Sequence, residues 1–509
     1  MTEGIKPAGA KRDSAERDGL KRRDFLKVLG VGSAGVGLAG CSTGEVEKLL
    51  PYVVPPEEIT PGVSTWYTTV CNECSARCGM WVRTREGRAI KVEGNPNHAV
   101  SGGALCARGH SSIQGLYNPD RITAPMLREG GSLREISWEE AESMLAQRLQ
   151  GASGNVMLVT GQMGPTEVDL ATRFLSTVGG EHVEYDALSD APLQEATRIA
   201  FGRDVLPHYD FERAELIVSF GADFLETWIS PVEYQRGFAR AAGVDDEGHK
   251  ARFVFVGPRL SLTGQNADEW LPIPAGTEAA VALGMASAIA SAGGDAGPYS
   301  SILDEYTPEV AAQASGLEAD MIREMASTFA SSSSVAVGPG HAGHHEGATA
   351  ANLSVHILNA VAGNVGRTVQ LDSAVLSARA RPYGNIEAAI QRMAGGVVMV
   401  RGANPAYSLP EASGFPEAFS SAGFKVAFAT EPDETTALAD LVLPERHFLE
   451  SWGDSNPRPG VYAIQQPTMQ AVPHFDSKAF GDVLLSVAGQ MGCPIGHYTT
   501  YEHLLARCK

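Results

Sequence analysis

The 509-residue sequence contains no run of eighteen apolar residues, which excludes a bilayer-spanning helix. It has neither GxGxxG nor a GxxxxGK[ST] loop, so a simple nicotinamide or ATP site is not indicated. No second CxxC accompanies its single Cys71-Asn-Glu-Cys74, which argues against the common paired-CxxC zinc sites. A ferredoxin-like CxxCxxCxxxCP run is missing, and nothing resembles a nucleophile–His–acid arrangement. Basic residues are scarce: 40 Lys and Arg stand against 60 Asp and Glu, a net charge of −20. Such a surface does not suit nucleic acid and would steer a basic redox partner toward it.

Four of the seven cysteines form the most informative pattern, Cys71-x-x-Cys74-x-x-x-Cys78 followed by Cys106 in Ala-Leu-Cys-Ala-Arg108-Gly109. Three thiolates on one tight loop and a fourth from a later loop can cover the corners of a cubane. Soft sulfur ligands select an iron–sulfur cluster or zinc. Two disulfides are the alternative, as in other exported proteins.

The N-terminus reads as an address. Lys21-Arg22-Arg23-Asp24-Phe25-Leu26-Lys27 has the form of a twin-arginine export signal, followed by small apolar residues to Gly40. Leu38-Ala39-Gly40-Cys41 then matches a lipoprotein processing site. The expectation is cleavage before Cys41, with more than one acyl chain giving stable anchoring. Residues 1–40 are therefore read as signal and 41–61, with Pro51, Pro55, Pro56 and Pro61, as an extended tether.

Hydrophobic content of 43% and charged content of 20% describe a globular protein, and its length suggests about three domains. Period-two alternation in Met80–Arg85 and Ala89–Gly94 predicts a small antiparallel sheet carrying the cysteine loops. Ser137-Trp-Glu-Glu140 has the form of a capping box and opens a helix to about Leu149. Beyond it, apolar runs at Val156–Thr160, Leu216–Phe220, Phe253–Val256, Val335–Gly338, Val397–Val400, Lys425–Ala429 and Leu441–Leu443 alternate with helical stretches. Buried strands separated by helices imply parallel sheets covered on both faces. Several strands end in glycine, where open α/β sheets gather ligands.

Taken together these motifs resemble the molybdopterin oxidoreductase (dimethyl-sulfoxide reductase) family. The resemblance rests on the cysteine set with Arg108-Gly109, on Glu212 to Asp223, on Phe255-Val-Gly-Pro-Arg259, on Ala275-Gly-Thr-Glu278 and on Gly402-Ala-Asn-Pro405. It implies an α/β fold with a small β-rich [4Fe-4S] domain (62–125 with 441–475) and two doubly wound α/β domains (126–187 with 372–440, and 188–371). A C-terminal segment, 476–509, follows, and the pterin-capping β-barrel domain of the family's enzymes is not represented. The implied cofactor is [4Fe-4S] on Cys71, Cys74, Cys78 and Cys106, with Arg108 placed to tune it. Molybdenum or tungsten bis-pterin guanine dinucleotide belongs to an alternative, catalytic reading with Ser189 at the metal-ligand position. Ser189-Asp190-Ala-Pro also suits the start of a helix.

Gly221 to Pro231 and His447 to Asp454 look like a non-catalytic branch, the molybdopterin-like subunit of alternative complex III and of the related quinone reductase complex. That branch implies a lipid-anchored electron-transfer scaffold on the periplasmic face of the membrane. Its partners would be a ferredoxin-like multi-cluster subunit, multihaem cytochromes c and polysulfide-reductase-type membrane subunits that handle quinol. The vacated pterin cavity is then expected to be filled by side chains. His341, His344, His345 and Glu346 form a dense group in a glycine loop, read mainly as polar surface. Cys493 and Cys508 have no partner pattern.

Overall fold

The computed structural model describes residue 60 and residues 62–508, apart from 153, 245–247, 249, 341–344, 377–381 and 497–498. The signal, Cys41, nearly all of the tether, His341, His344 and the Cys508 side chain lie outside the described residues. No helix among them is long and apolar enough to cross a membrane.

The first sheet is small and antiparallel, with β1 (Ser64–Val70), β2 (Gly79–Arg85) and β3 (Arg88–Gly94) in that order. Met80 and Val82, alternate residues of β2, point into one buried cluster as the period-two pattern requires; Ala89 and Val92 of β3 join them because a bulge at Ile90 shifts the register between them. The cysteine loop is the β1–β2 connection. A hairpin of β17 (Gly453–Arg458) and β18 (Val461–Gln465) joins this layer from the far end of the sequence. Thr69 donates to the Gln466 carbonyl at 2.9 Å, and Gln466 Nε2 donates to the Thr68 carbonyl at 2.7 Å.

The second sheet has seven strands in the order β5 (Ser132–Glu135), β4 (Met126–Glu129), β16 (Leu441–Pro444), β15 (Phe424–Ala429), β14 (Val397–Arg401), β6 (Val156–Thr160) and β7 (Glu181–Glu184). From β16 to β7 all pairs are parallel; β4 and β5 form an antiparallel edge. Leu158, Met399 and Val426 face helices Trp138–Gly151, Pro165–Val178 and Phe480–Gln490, whereas Met157, Val159, Val398 and Val400 face Ile386, Phe415 and Phe419. Both faces are thus apolar, which is why these strands lack alternation. Two expected boundaries change here. Leu441–Pro444, expected in the cluster domain, is a central strand of this sheet, and the expected separate C-terminal segment supplies a helix to its core. The Ser137 hydroxyl does cap its helix, accepting from Glu140 N–H at 3.1 Å, but Glu140 turns its carboxylate to Arg134.

The third sheet is fully parallel, ordered β11 (Glu269–Leu271), β10 (Arg252–Val256), β9 (Leu216–Ser219) and β12 (Ser334–Val337). A two-stranded pair of β8 (His208–Tyr209) and β13 (Val369–Gln370) lies beside it in sequence. One face carries the helices Glu278–Ser291, Ala319–Ser331 and Ala348–Val361, and the other an aromatic core containing Tyr209, Phe211, Phe224, Trp228 and Tyr234.

Within that helix layer His356 is fully buried, its Nε2 3.0 Å from Thr197 Oγ1. Burial lowers its pKa to about 4. The folded state therefore holds it neutral while the unfolded chain protonates it near pH 6.5, so stability falls as pH falls through this window. Between pH 7 and 4.5 the wild type is expected to lose about 2–3 kcal/mol more than His356→Leu in urea titrations. Equal losses would contradict the assignment.

Candidate functional site

The cysteine loop is closed by a hydrogen bond from Cys71 N–H to the Cys78 carbonyl at 2.8 Å. Inside it Arg77 adopts φ +49°, a left-handed backbone that costs a non-glycine residue about 1 kcal/mol. Cys106 stands immediately before helix Ala107–Leu116, in extended conformation. Its loop is pressed onto the first sheet: a Cβ on Gly94 would lie 2.3 Å from the Gly103 carbonyl oxygen, so only glycine permits this approach. All four cysteines join one side-chain cluster with Met80, Val82, Leu116 and Leu449. Cys71 and Cys78 are buried, Cys74 and Cys106 half-buried, and all four are unbridged.

Burial, together with the neighbouring sulfurs and carboxylates, pushes the Cys71 thiol up to about 12 and also raises Cys78. Four thiolates placed together in this apolar setting need cations of their own, as iron supplies. Among the described residues no three His, Cys, Asp or Glu side chains converge on a single metal position. Zinc bonds of about 2.3 Å would draw the sulfurs to within about 4 Å of one another, whereas a cubane holds its ligands at separate corners. The donor set fits a cubane better than zinc.

Beside the cysteine loop opens a cavity of about 800 Å³. Its floor is the carboxyl ends of β6, β14, β15 and β16, at Gly161, Gly402, Thr430 and Glu445. The glycine is required where β6 ends: a Cβ on Gly161 would sit 2.1 Å from the Gly402 carbonyl oxygen. One wall is Glu73, Cys74, Arg77 and Arg108, and another the Tyr185–Asp190 loop with Thr227 and Ile229. The expectation that side chains fill this space is overturned. Gly161 and Gly402, just past the ends of β6 and β14, present no side chains to fill it.

Charge at the floor is buried and paired. Arg401 ends β14, and both its terminal nitrogens bond Glu167, each at 3.0 Å. Its Nε donates to Glu445 at 2.9 Å, and Phe480 lies 5.0 Å beneath the guanidinium. Burial alone would favour a neutral Arg401, but the two carboxylates hold it charged. Burial likewise raises the Glu445 carboxyl, and Arg401 opposes that rise. Arg77, 4% exposed, donates to the Gln162 carbonyl at 3.2 Å. Its pKa is lowered to about 10 by burial, against the attraction of Glu167.

Arg108 is exposed and lines the cavity. Ser189 does not line it, although Leu188 and Asp190 do. The Ser189 hydroxyl accepts from Ala191 N–H at 3.3 Å, one residue before the N-cap of helix Ala191–Phe201; that N-cap is Asp190, and its side chain makes no capping hydrogen bond. Arg259 pairs with Asp223 at 2.9 Å, and His345 Nδ1 accepts from Gly347 N–H at 3.0 Å. Cys493 is exposed and unbridged. Sequence reasoning missed Arg77, Glu167, Arg401 and Glu445; a charged residue at the end of an apolar strand was an available signal for Arg401 and Glu445, and Arg77, in a loop, and Glu167, in a helix, carried none.

A bis-pterin cofactor brings two anionic pyrophosphates, which need free cations or amide donors. Here Glu73, Asp186, Asp190, Glu431, Asp433 and Glu445 outnumber the four arginines of the lining, of which Arg401 is bound by two carboxylates, Arg77 and Arg446 donate to backbone carbonyls, and Arg108 is exposed. These residues do not fit a pair of dinucleotides.

Comparison with known proteins agrees with this architecture. The molybdopterin oxidoreductase Fe4S4 domain matches residues 64–118 and the molybdopterin oxidoreductase domain residues 121–466. The chain is 31% identical to the menaquinone reductase molybdopterin-binding-like subunit of Nitratidesulfovibrio vulgaris, over 96% of this chain and 74% of that one. It is 26% identical to the molybdopterin-containing subunit of arsenate respiratory reductase from Shewanella sp., over 89% of this chain and 64% of the other. Acetylene hydratase from Pelobacter acetylenicus shares the fold, with a TM-score of 0.69 at 16% identity over 86% of this chain and 70% of that structure. With a [4Fe-4S] domain leading into paired α/β sheets, this chain belongs to the molybdopterin oxidoreductase family.

Proposed function

We propose that this chain is an electron-transfer and scaffold subunit of a membrane quinol-oxidising respiratory complex of the alternative complex III type. Cys71, Cys74, Cys78 and Cys106 hold one [4Fe-4S] cluster, and the chain carries no molybdenum cofactor. The observation that carries the reading is the contrast between its two sites: four unbridged thiols share one core, while the neighbouring cavity is lined by acids and Arg401 at its floor is already bound to Glu167 and Glu445. Its similarity to a menaquinone reductase subunit supports the quinone link. The cluster supplies one-electron transfer; the chain's own residues exclude water from Cys71 and Cys78 and present Cys74 and Cys106 toward the surface.

Export by the twin-arginine route and lipid anchoring at Cys41 on the periplasmic face belong to the same proposal, motivated by the N-terminal motifs. So do the partners: a ferredoxin-like multi-cluster subunit, multihaem cytochromes c and polysulfide-reductase-type membrane subunits. The acidic surface suits a basic cytochrome.

The open cavity favours a second reading, a molybdenum or tungsten bis-pterin enzyme acting on an oxyanion or sulfur compound. Ser189 would then have to exchange its helix-start hydrogen bond for the metal.

Metal analysis and EPR of the complex purified anaerobically decide between the two. A dithionite-reduced [4Fe-4S] signal lost in Cys74→Ser, with no molybdenum or tungsten, is the expected result. Stoichiometric molybdenum or tungsten would overturn the scaffold reading.

A further inference from the structure

Between the cysteine loop and the cavity floor lie four charges of alternating sign, Arg77 and Arg401 buried and Glu167 and Glu445 half-buried. Both oxygens of Glu167 are taken by Arg401, as are both of Glu445. Arg77 is left with a backbone carbonyl as its hydrogen-bond partner, so its charge is not neutralised by a bonded carboxylate. It is also the member that sits inside the cysteine loop, between Cys74 and Cys78, within electrostatic reach of Cys71 and Cys74. The loop bends through a left-handed residue to bury it. A side chain held in a strained backbone position points to a role at its site.

We propose that Arg77 sets the reduction potential of the cluster, with Glu167 as its opposing charge. This rests on the reading that the four cysteines ligate that cluster. Reduction adds one electron to the cluster, taken from a reduced centre of the complex or from dithionite, and breaks no bond. With four thiolates the cluster passes from net −2 to −3, so a nearby cation favours the reduced form and an anion the oxidised one. Arg108 has the same charge but is exposed. Arg108 also acts on Cys74, but salt and water screen an exposed charge, whereas Arg77 is buried and reaches Cys71 as well as Cys74. The sequence pointed to Arg108; burial points to Arg77.

The test is an anaerobic EPR redox titration of the intact complex carrying wild type, Arg77→Gln, Arg77→Lys, Glu167→Gln or Arg108→Gln. At the potential where the wild type is half reduced, Arg77→Gln is expected to lower the ratio of reduced to oxidised cluster about tenfold. That equals about 59 mV for one electron. Glu167→Gln raises the ratio, Arg77→Lys stays near wild type, and Arg108→Gln moves it less than Arg77→Gln. Opposite signs from two adjacent substitutions separate tuning from structural damage, which would move both the same way. If Arg77→Gln does not assemble, Glu167→Gln decides: an unchanged or lowered ratio overturns the proposal. A Cys74-dependent signal whose potential ignores Arg77 overturns the role of Arg77 alone. A wild-type signal that survives Cys74→Ser removes the ligand assignment and this inference with it.

Discussion

Arg401→Met is expected to destabilise the folded chain by about 3–5 kcal/mol, because it strips the cation from both carboxylates it bonds at once. Methionine roughly preserves the packing on Phe480, so the loss reports charge rather than volume. The pH dependence identifies the cause. Burial already raises the Glu445 carboxyl and Arg401 restrains it, so removing Arg401 lets it rise further. The folded variant then holds a proton that the unfolded chain releases near pH 4.3, and its stability falls as pH rises above that value. Urea titration should therefore show a larger deficit at pH 8 than at pH 5.5. A deficit below about 1 kcal/mol, or one independent of pH, would mean that water reaches the site and screens it.

That charge network also marks where the sequence stops being readable. Parallel strands such as Val156–Thr160 and Val397–Arg401 announce themselves, because both of their faces are buried and their composition is continuously apolar. The cysteine spacing and the alternation of β2 are local patterns too, and they place the cluster loop on a small antiparallel sheet, although a bulge breaks the expected alternation in β3. Arg401, however, follows four apolar residues and reads as a solvated strand end. Its partners Glu167 and Glu445 are 234 and 44 residues away in the chain, and no local period connects them. Arg77 reads as a polar loop residue for the same reason. Its burial is decided by the Gln162 carbonyl, which belongs to another sheet layer.

The cavity shows a different limit. Whether side chains fill a vacated site depends on summed volumes across four strand ends, and the expectation of a filled site failed there. The strand Leu441–Pro444 was legible as a strand but not as a neighbour of β15. Its pairing partner is a matter of register between segments, whereas its apolar composition is the same in either layer.

Arg121→Met carries the other large expected effect, again about 3–5 kcal/mol, and it acts on how the cluster layer is assembled from distant pieces. Arg121 Nη2 bonds Glu450 at 2.9 Å with both side chains fully enclosed, Nη1 donates to the Leu116 carbonyl at 2.8 Å, and Phe475 lies 4.4 Å under the guanidinium. Glu450 in turn accepts from His447 and Val472 backbone N–H groups at 3.0 and 2.8 Å. One ion pair thus ties the end of the Cys106 helix to segments more than three hundred residues later. Losing Arg121 leaves Glu450 charged, buried and short of its cation, so hydrogen exchange should quicken first at the Cys106 helix and at 447–475. Faster exchange spread evenly over both α/β sheets would argue against that local role. Burial, with the Arg121 charge behind it, holds His447 down to about 3. Removing Arg121 lets that pKa rise toward its unfolded value, so His447 costs the variant less stability than the wild type as pH falls below 6.5. The deficit of Arg121→Met should therefore narrow in acid. That is the behaviour of a cluster layer held in place by a buried charge pair rather than by its own small core.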